Sequence, residues 1–520
     1  MQIAVIYLFW FAWVAFLCAT VRYSTQMFQQ NSYRIERYNR WLRSTGEWHS
    51  RANMVALVGA VATYFTQHWA LLLPLALWML TIAIAEFSIE YKIKLAYTMR
   101  VKRLLVTRYL LVAAALVGAH YLDDCYAVPL LLVATFDYWI ILANAINRPM
   151  EAAITRWYYN DAKRILRSMP HLTIIGITGS FGKTSTKHFL HRVLSERYNV
   201  LMTPGNFNTT LGVVRTIREH LKPHHEVFIV EMGAKQRGDI KEICDLVCPH
   251  MGIVTSVGEM HLETFGSVEN VARTKFELID ALPADGFGIV NIDSEAALKH
   301  IKANGIEVKT YAIDSCEADY RATEIVYSSQ RTTFAVEHGA TKDEGYATHL
   351  LGRGNILNIT AALAIAEHMG VSIEARRRGV KQIEQVEHRL SMRRSGGVTI
   401  LDDAYNSNPT GARMALEVLG GFETEGARYV VTPGFVEMGA KQYDNNRTFG
   451  QDIAGSKADG VYVVNEVNRA AITAGLEAAG YDMARVTTVA SFKEAMAELQ
   501  PRLKAGDVVL YENDLPDSFK

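Results

Sequence analysis

Two long stretches without a charged side chain constrain this sequence most. Met1–Val21 has none before Arg22, and Ala52–Ala85 has none before Glu86. In hydrocarbon every backbone N–H and C=O must be satisfied within the segment, which leaves the helix as the single-segment solution. A spanning helix needs about 20 apolar residues. The second stretch is too long for one span and just enough for two short ones, turning near Gln67–His68. Leu104–Leu122, apolar apart from Arg108, and Cys125–Asn147 bring the expected number of spans to five. No basic segment precedes the first run and no clear small-residue cleavage site follows it, so it reads as a span and not as a removable leader.

The loops supply the orientation. Arg22, Arg34, Arg37, Arg40, Arg43 and Arg51 follow the first run, and Lys92, Lys94, Arg100, Lys102 and Arg103 follow the third. Asp123 and Asp124 separate the last two. The positive-inside rule then predicts an outside N-terminus and a cytoplasmic remainder: a multi-pass protein of the cytoplasmic membrane with its catalytic domains in the cytoplasm. Asp137 falls inside the fifth span, where an acid is costly. We read it as paired with Arg108 or a tyrosine within the bundle; contact with a head group or a partner subunit is the alternative. Tyr33–Arg43 (YRIERYNRWLR) reads as a juxtamembrane helix, with anionic membrane lipid or a lipid-linked phosphate as the functional alternative.

Beyond about residue 150 the pattern is that of α/β protein. The 520 residues carry a formal net charge of +0, with a pI near 7.3, so the charge balance gives no argument for nucleic acid. The five cysteines are scattered, which suits a reducing compartment. Cys244 and Cys248, one helical turn apart, read as small core residues and not as ligands, because no second Cys/His pair stands nearby.

Chemistry enters at Thr173–Lys187, TIIGITGSFGKTSTK. An apolar strand runs into a glycine turn, Gly179 and Gly182, and then into a helix. Thr178, Gly179, Ser180, Gly182, Lys183, Thr184 and Ser185 are the candidate phosphate-binding residues. The glycines let backbone N–H groups approach, and the helix N-terminus adds unpaired donors and a positive dipole end. Lys183 offers a charge to β- and γ-phosphates, and the Thr184 hydroxyl can sit on Mg2+. Ile177 stands where the strict G-x-x-x-x-G-K-[ST] pattern has its first glycine.

Strands and helices then alternate, the signature of a mostly parallel sheet. Thr203–Gly212 (TPGNFNTTLG) is a polar loop with Asn206 and Asn208. Val227–Val230 is a strand ending in Glu231, where an acid beside a phosphate loop can organise Mg2+. His261 lies in the loop GEMHLETFG; alone it reads as solvent-facing. Lys275 lies on a helix and by itself reads as an exposed lysine. A further strand leads to Asn291 and Asp293, and Ala318–His349 alternates in short β-like segments.

The segments Thr178–Ser185, Thr203–Asn208, Glu231–Ala234 (EMGA), His261–Ser267 and A-x-x-K-x-E around Lys275 resemble the Mur ligase family. These are the ATP-dependent amide ligases of peptidoglycan precursor assembly. Asp402–Pro409, DDAYNSNP, is the clearest marker and is most similar to the branch that adds D-alanyl-D-alanine to UDP-N-acetylmuramoyl-tripeptide. The resemblance covers about Thr173 to the C-terminus and leaves the apolar region out.

The resemblance implies an enzyme that phosphorylates a carboxylate with ATP and lets an amine, an amino acid or a dipeptide, displace the phosphate. It implies that Lys183 and Thr184 hold phosphate and Mg2+. It implies that Glu231 and His261 serve the metal and that Lys275 is carbamylated into a metal ligand, so the catalytic set is Lys183, Lys275, His261 and Glu231. Thr184, Glu231, His261 and Lys275 are then the metal set. Asn291 matches a residue that contacts adenine, and Arg389 and Asp403 match groups that the C-terminal domain brings to the nucleotide.

There are departures. His388 stands where the family often has glycine, and Gly352–Asn355 (GRGN) lacks a usual histidine. The apolar region occupies the place of the uridine-nucleotide domain. The K-G-S-R segment that serves the incoming dipeptide is replaced by Tyr511–Pro516, YENDLP. EMGAKQ recurs at Glu437–Gln442 and reads as a coincidence of two loops.

The expected architecture is an α-helical transmembrane region over 1–150, an α/β ATP-binding central domain over 151–388, and a Rossmann-like C-terminal domain over 389–520. The expected function is a membrane-anchored Mur-type ligase of envelope precursors, acting on a carboxylate that is UDP-linked or lipid-linked. A polymer-forming ligase resembling poly-γ-glutamate synthase is the alternative, and a non-catalytic scaffold a third.

Overall fold

The computed structural model describes residues 1–520 apart from 48–49, 67, 90, 92, 122–125, 302–305, 328–330, 406 and 516–520. Asp123, Asp124, Cys125 and Lys92 of the topology argument therefore lie outside the described residues. The chain forms two units, Met1–Arg156 and Trp157–Leu515.

The first unit is helical. Gln2–Gln30, Trp69–Ser88 and Met99–Tyr121 are each long and apolar enough to cross a membrane, with mean hydropathies of 2.2, 2.1 and 1.5. The break expected near Gln67–His68 falls at His68, which starts the next helical turn by accepting a hydrogen bond from Ala70 N. The expectation of five spans needs correction. Ala52–Thr66 is shorter, and at 1.5 Å per residue it reaches less than the roughly 30 Å of a hydrocarbon core. The fifth run is not one straight helix: Ala127–Ala134 and Phe136–Arg167 meet at 77°. The described residues thus hold three helices long and apolar enough to cross a membrane, or four if the bent pair counts as one.

Aromatic and aliphatic side chains of Phe9, Trp13, Phe16, Met79 and Phe136 fill the interior of this unit. Arg108 is 1% exposed and donates to Ser24 Oγ and Thr25 Oγ1, both at 3.0 Å, with its guanidinium 4.3 Å from the centre of the Phe136 ring. Asp137 accepts from Asn53 Nδ2 at 3.4 Å. The expected direct Asp137–Arg108 pair is not formed among the described residues; two hydroxyls take the guanidinium instead. A helix forms over Ile35–Ser44, within and just beyond the segment Tyr33–Arg43 read as helical, and buries Tyr38, Trp41 and Leu42.

The second unit holds two sheets. The first comprises β1 (Thr173–Thr178), β2 (Val200–Met202), β3 (Val227–Glu231), β4 (Met251–Val254), β5 (Phe287–Asn291), β6 (Glu307–Ala312), β7 (Tyr320–Tyr327), β8 (Thr332–His338) and β9 (Thr341–Thr348). Their order is β2-β3-β1-β4-β5-β6-β7-β8-β9, parallel through β7 and antiparallel over the last two pairings. Continuous apolar strands suit a sheet covered on both faces. Ile175 and Ile177 feed one core, while Ile174 feeds the other with Phe228 and Val230. Gly176 makes room for Leu278, since a Cβ there would stand 2.6 Å from Leu278 Cδ1.

The second sheet comprises β10 (Ser391–Ser395), β11 (Val398–Asp403), β12 (Arg428–Thr432), β13 (Gly460–Val464), β14 (Val486–Val489) and β15 (Val508–Glu512). Its order is β10-β11-β15-β12-β13-β14, with β10 antiparallel and the rest parallel. In the first sheet β3 and β4 flank β1 on opposite sides. Chain connections therefore diverge at the carboxyl end of β1, where open α/β sheets place their ligands.

Cys244 is buried against Met232, as a core residue should be. Cys248 is exposed just past the helix Asp239–Val247, so the core assignment fails for it.

Candidate active site

The turn after β1 is closed by its neighbours. Thr178 Oγ1 donates to Met232 O at 3.0 Å, and Thr255 Oγ1 donates to Phe181 O at 2.6 Å. Ser180 N donates to Ser256 O at 2.6 Å, and Ser180 Oγ accepts from Gly258 N at 3.1 Å. Both glycines are required. Gly179 has φ +150° and a Cβ there would stand 1.9 Å from Thr255 Oγ1; Gly182 has φ +84° and a Cβ would meet Asn358 Oδ1 at 2.6 Å. Gly182 caps the helix Lys183–Leu194, whose first-turn N–H groups have no intrahelical partner. Lys183 Nζ donates back to Gly179 O at 2.8 Å and Ser180 O at 3.0 Å. Burial lowers this amine to about 8, against the attraction of Glu231 and with help from the Arg389 charge.

Glu231 lies at the end of β3, level with Ile177 on β1. Its Oε1 accepts from Thr184 Oγ1 at 3.2 Å and from Asn208 Nδ2 at 3.1 Å. Its Oε2 lies 3.0 Å from Lys187 Nζ, an ion pair whose side chains are 1% and 0% exposed. Burial pushes the Glu231 carboxyl up, but Lys187 and Lys183 outweigh it and hold the group below the usual carboxylate range. Lys187 also donates to Gly205 O at 2.6 Å, tying down the loop before Asn206.

Lys275 is buried and His261 is partly buried, where each read alone suggests an exposed side chain. Lys275 is 3% exposed on the helix Val268–Asp280, and its amine forms no hydrogen bond or ion pair among the described residues. Burial, reinforced by the Lys183 charge, lowers it well below its ordinary value. His261 has φ 51°, and its Nδ1 lies 2.5 Å from Glu437 Oε2. Burial lowers its pKa against the pull of Glu437, with Lys235 and Lys275 adding to the decrease.

The structure thus brings Lys183, Thr184 and Glu231 into one bonded group. Lys275 lies within electrostatic reach of Lys183, and His261 within reach of Lys275. Asn291 is occupied elsewhere: its Nδ2 donates to Ser256 Oγ at 3.0 Å, and its Oδ1 accepts from Asp293 N. Ser185, Arg389 and Asp403 line one cleft with Phe181 and Gly182. Arg389 donates to Tyr405 O at 2.9 Å and stacks on the Tyr405 ring, while Tyr405 OH accepts from Asn206 Nδ2 at 2.6 Å. Asp403 Oδ1 accepts from Leu390 N at 2.9 Å.

Sequence reasoning passed over Lys187 and Glu437. Lys187 sits one turn beyond Lys183, a spacing that points it at the same strand end. Glu437 belongs to the second EMGAKQ, which is therefore more than a coincidence: it meets His261, and Lys441 and Asn445 beside it bond Glu259. The oxygen donors Thr184 and Glu231 suit Mg2+. As an amine Lys275 does not; as a carbamate it would. Removing one partner of a buried ion pair leaves the other charge uncompensated, at about 3–5 kcal/mol. Lys187→Met is therefore expected to lower unfolding stability by about that amount in urea titrations. The double change Lys187→Met/Glu231→Leu should recover most of it.

Residues 177–366 match the Mur ligase middle domain, and residues 388–511 match the Mur ligase glutamate ligase domain. The UDP-N-acetylmuramoyl-tripeptide--D-alanyl-D-alanine ligase of Mycobacterium bovis is 30% identical over 357 residues, 65% of this chain and 70% of that one. The enzyme of the same name from Bacillus subtilis is 28% identical over 340 residues, 65% of this chain and 72% of that one. Among solved structures, MurF from Thermotoga maritima in complex with ADP superposes with a TM-score of 0.61 at 25% identity, covering 69% of this chain and 80% of that one. MurF from Acinetobacter baumannii gives 0.60 at 26% identity, covering 69% and 77%. A phosphate loop backed by a buried acid and faced by a second α/β sheet, with these matches on both sides of the cleft, makes the chain a member of the Mur ligase family of ATP-dependent ligases.

Proposed function

We propose that this protein is a membrane-anchored, MurF-like amide ligase of peptidoglycan precursor synthesis. In this reading it joins the carboxylate of a muramoyl-tripeptide to the amine of a dipeptide at the cytoplasmic face. The single observation that carries the chemistry is the convergence of Lys183, Thr184 and Glu231 at the end of β1 with Arg389 across the cleft. Supporting it are the names of the relatives and the DDAYNSNP segment.

A carboxylate oxygen is a poor leaving group, and ATP supplies the phosphoryl group that makes it a good one. The protein's task is positioning and charge neutralisation. The backbone from Thr178 to Ser185 cradles the phosphates, Lys183 leaves its loop carbonyls for them, and Arg389 approaches from the second sheet. Mg2+, held through Thr184, Glu231, His261 and a carbamylated Lys275, would neutralise phosphate charge. A depressed amine is the form that takes up CO2, which fits Lys275 to that modification. Asn291 holds the loop beside the nucleotide. Membrane anchoring is supported by the three long apolar helices of the first unit and by the arginine- and lysine-bearing loops between them.

Lys183→Ala is expected to lower ADP release by at least about 100-fold, the scale of losing a positioned charge at the reacting phosphate. The variant should still fractionate with membranes. The assay supplies ATP, D-alanyl-D-alanine and UDP-muramoyl-tripeptide, with a lipid-linked tripeptide as a second arm; turnover unchanged by the substitution overturns the ligase reading. Lys275→Ala should lose activity and regain part of it with added short carboxylates. Full activity without them would show that no carbamate is needed. A reporter fused after Lys520 should report cytoplasm; a periplasmic signal overturns the orientation.

A further inference from the structure

One acid at the edge of the metal set has no part in holding phosphate. Glu437 follows β12, in the part of the chain that matches the glutamate ligase domain. His261 lies in the part that matches the middle domain. The two meet across that boundary, with Glu437 Oε2 2.5 Å from His261 Nδ1. His261 Nε2 makes no hydrogen bond among the described residues, and Lys275 lies within electrostatic reach of the ring.

The contact is held from several sides. Glu263 N donates to Glu437 O at 3.4 Å. Lys441 Nζ bonds one oxygen of Glu259, and Asn445 Nδ2 donates to the other at 2.7 Å. Gly439 turns at φ +58°, and a Cβ there would stand 3.5 Å from Glu263 Cα. The short turn Gly439–Lys441 therefore lies against the helix Leu262–Phe265. His261 and Glu437 themselves have φ of 51° and 63°. Residues other than glycine seldom adopt this left-handed backbone, and it persists where the surroundings impose it, most often at functional sites. Here it falls on both partners of one side-chain contact.

The chemistry of the ring gives the contact a use. A neutral imidazole carries its one proton on either nitrogen. A carboxylate at Nδ1 keeps the proton there, so Nε2 retains the lone pair with which a histidine binds a metal. The same carboxylate fixes the plane of the ring and raises its basicity. Without it the proton is free to sit on Nε2, where it blocks a metal. Adhesion between the two domains is already served by Lys441 and Asn445 on Glu259.

We propose that Glu437 is a positioning residue for the metal site. It fixes the tautomer and orientation of His261 from across the domain boundary, so the metal set of the middle domain is complete only while the second sheet is docked. The proposal rests on the reading of His261 as a metal ligand. Glu437 acts through the imidazole ring. Linkage makes the effect reciprocal: docking strengthens metal binding, and bound metal strengthens docking to the same extent.

The test titrates Mn2+ into the full chain in detergent with dissolved CO2, reading the free ion by its EPR signal. ADP release is measured against Mn2+ in parallel. Glu437→Ala should weaken Mn2+ binding by about 10-fold or more, the low end for losing a partner that orients a ligating histidine. Glu437→Gln, whose amide oxygen still accepts from Nδ1–H, should recover part of that loss. His261→Ala should weaken binding at least as much as Glu437→Ala. Adding Glu437→Ala to His261→Ala should cost little more, because the acid acts through the ring. Glu259→Gln loosens the same domain contact without touching the ring, and its affinity should fall by less. Unchanged affinity in Glu437→Ala, additive losses in the double variant, or an equal loss in Glu259→Gln overturns the proposal. Unchanged affinity in His261→Ala overturns instead the assignment of His261 to the metal.

Discussion

The buried ion pair between Lys187 and Glu231 holds the active-site end of the second unit together. Lys187 comes from the helix that opens the phosphate loop, and Glu231 from the end of the neighbouring strand. A charge in this interior is tolerable only with its partner and with its remaining lone pairs occupied. Thr184, Asn208 and Lys187 meet that condition, and each lies on a different turn or segment of the site. Phosphate loop, β3 end and the Asn206–Asn208 loop are consequently one electrostatic object. Disturbing any of the three exposes the same carboxylate to the cost of being alone.

The second sheet reaches this object from outside through polar contacts. Asn206 meets Tyr405, His261 meets Glu437, and Glu259 meets Lys441 and Asn445. Interfaces of this polar kind inside one chain permit relative movement of their parts. The cation of Arg389 and the acid of Asp403 arrive on the same segment as Tyr405, so whatever brings Tyr405 to Asn206 also brings them to the cleft. A guanidinium and a carboxyl thus line the cleft from one wall.

The first unit solves a different problem. Its helices expose apolar side chains such as Phe11, Val58 and Leu110 and turn a few polar ones inward. Arg108 finds hydroxyls, a carbonyl and an aromatic face where a carboxylate was expected. A guanidinium can be satisfied by neutral acceptors because its charge is delocalised over five donors. Asp137 is left to Asn53, and composition cannot distinguish that pairing from the other.

The sequence by itself determined the local features. Charge-free runs specified helices; an apolar strand, two glycines, a lysine and a threonine specified the phosphate turn; DDAYNSNP specified the family branch. These are legible because each depends on neighbours a few residues away. Gly179 and Gly182 were readable as turn residues, and the close approach of Thr255 and Asn358 confirms that nothing larger fits. Tertiary structure alone decided what depends on distant segments: that Lys275 is buried, that Lys187 serves Glu231, that the second EMGAKQ reaches His261, and that Asp403 lies beside Glu512. Burial and the charge state it imposes are properties of the packed neighbourhood. A lysine on an amphipathic helix has the same letter whether its amine faces water or three other charges.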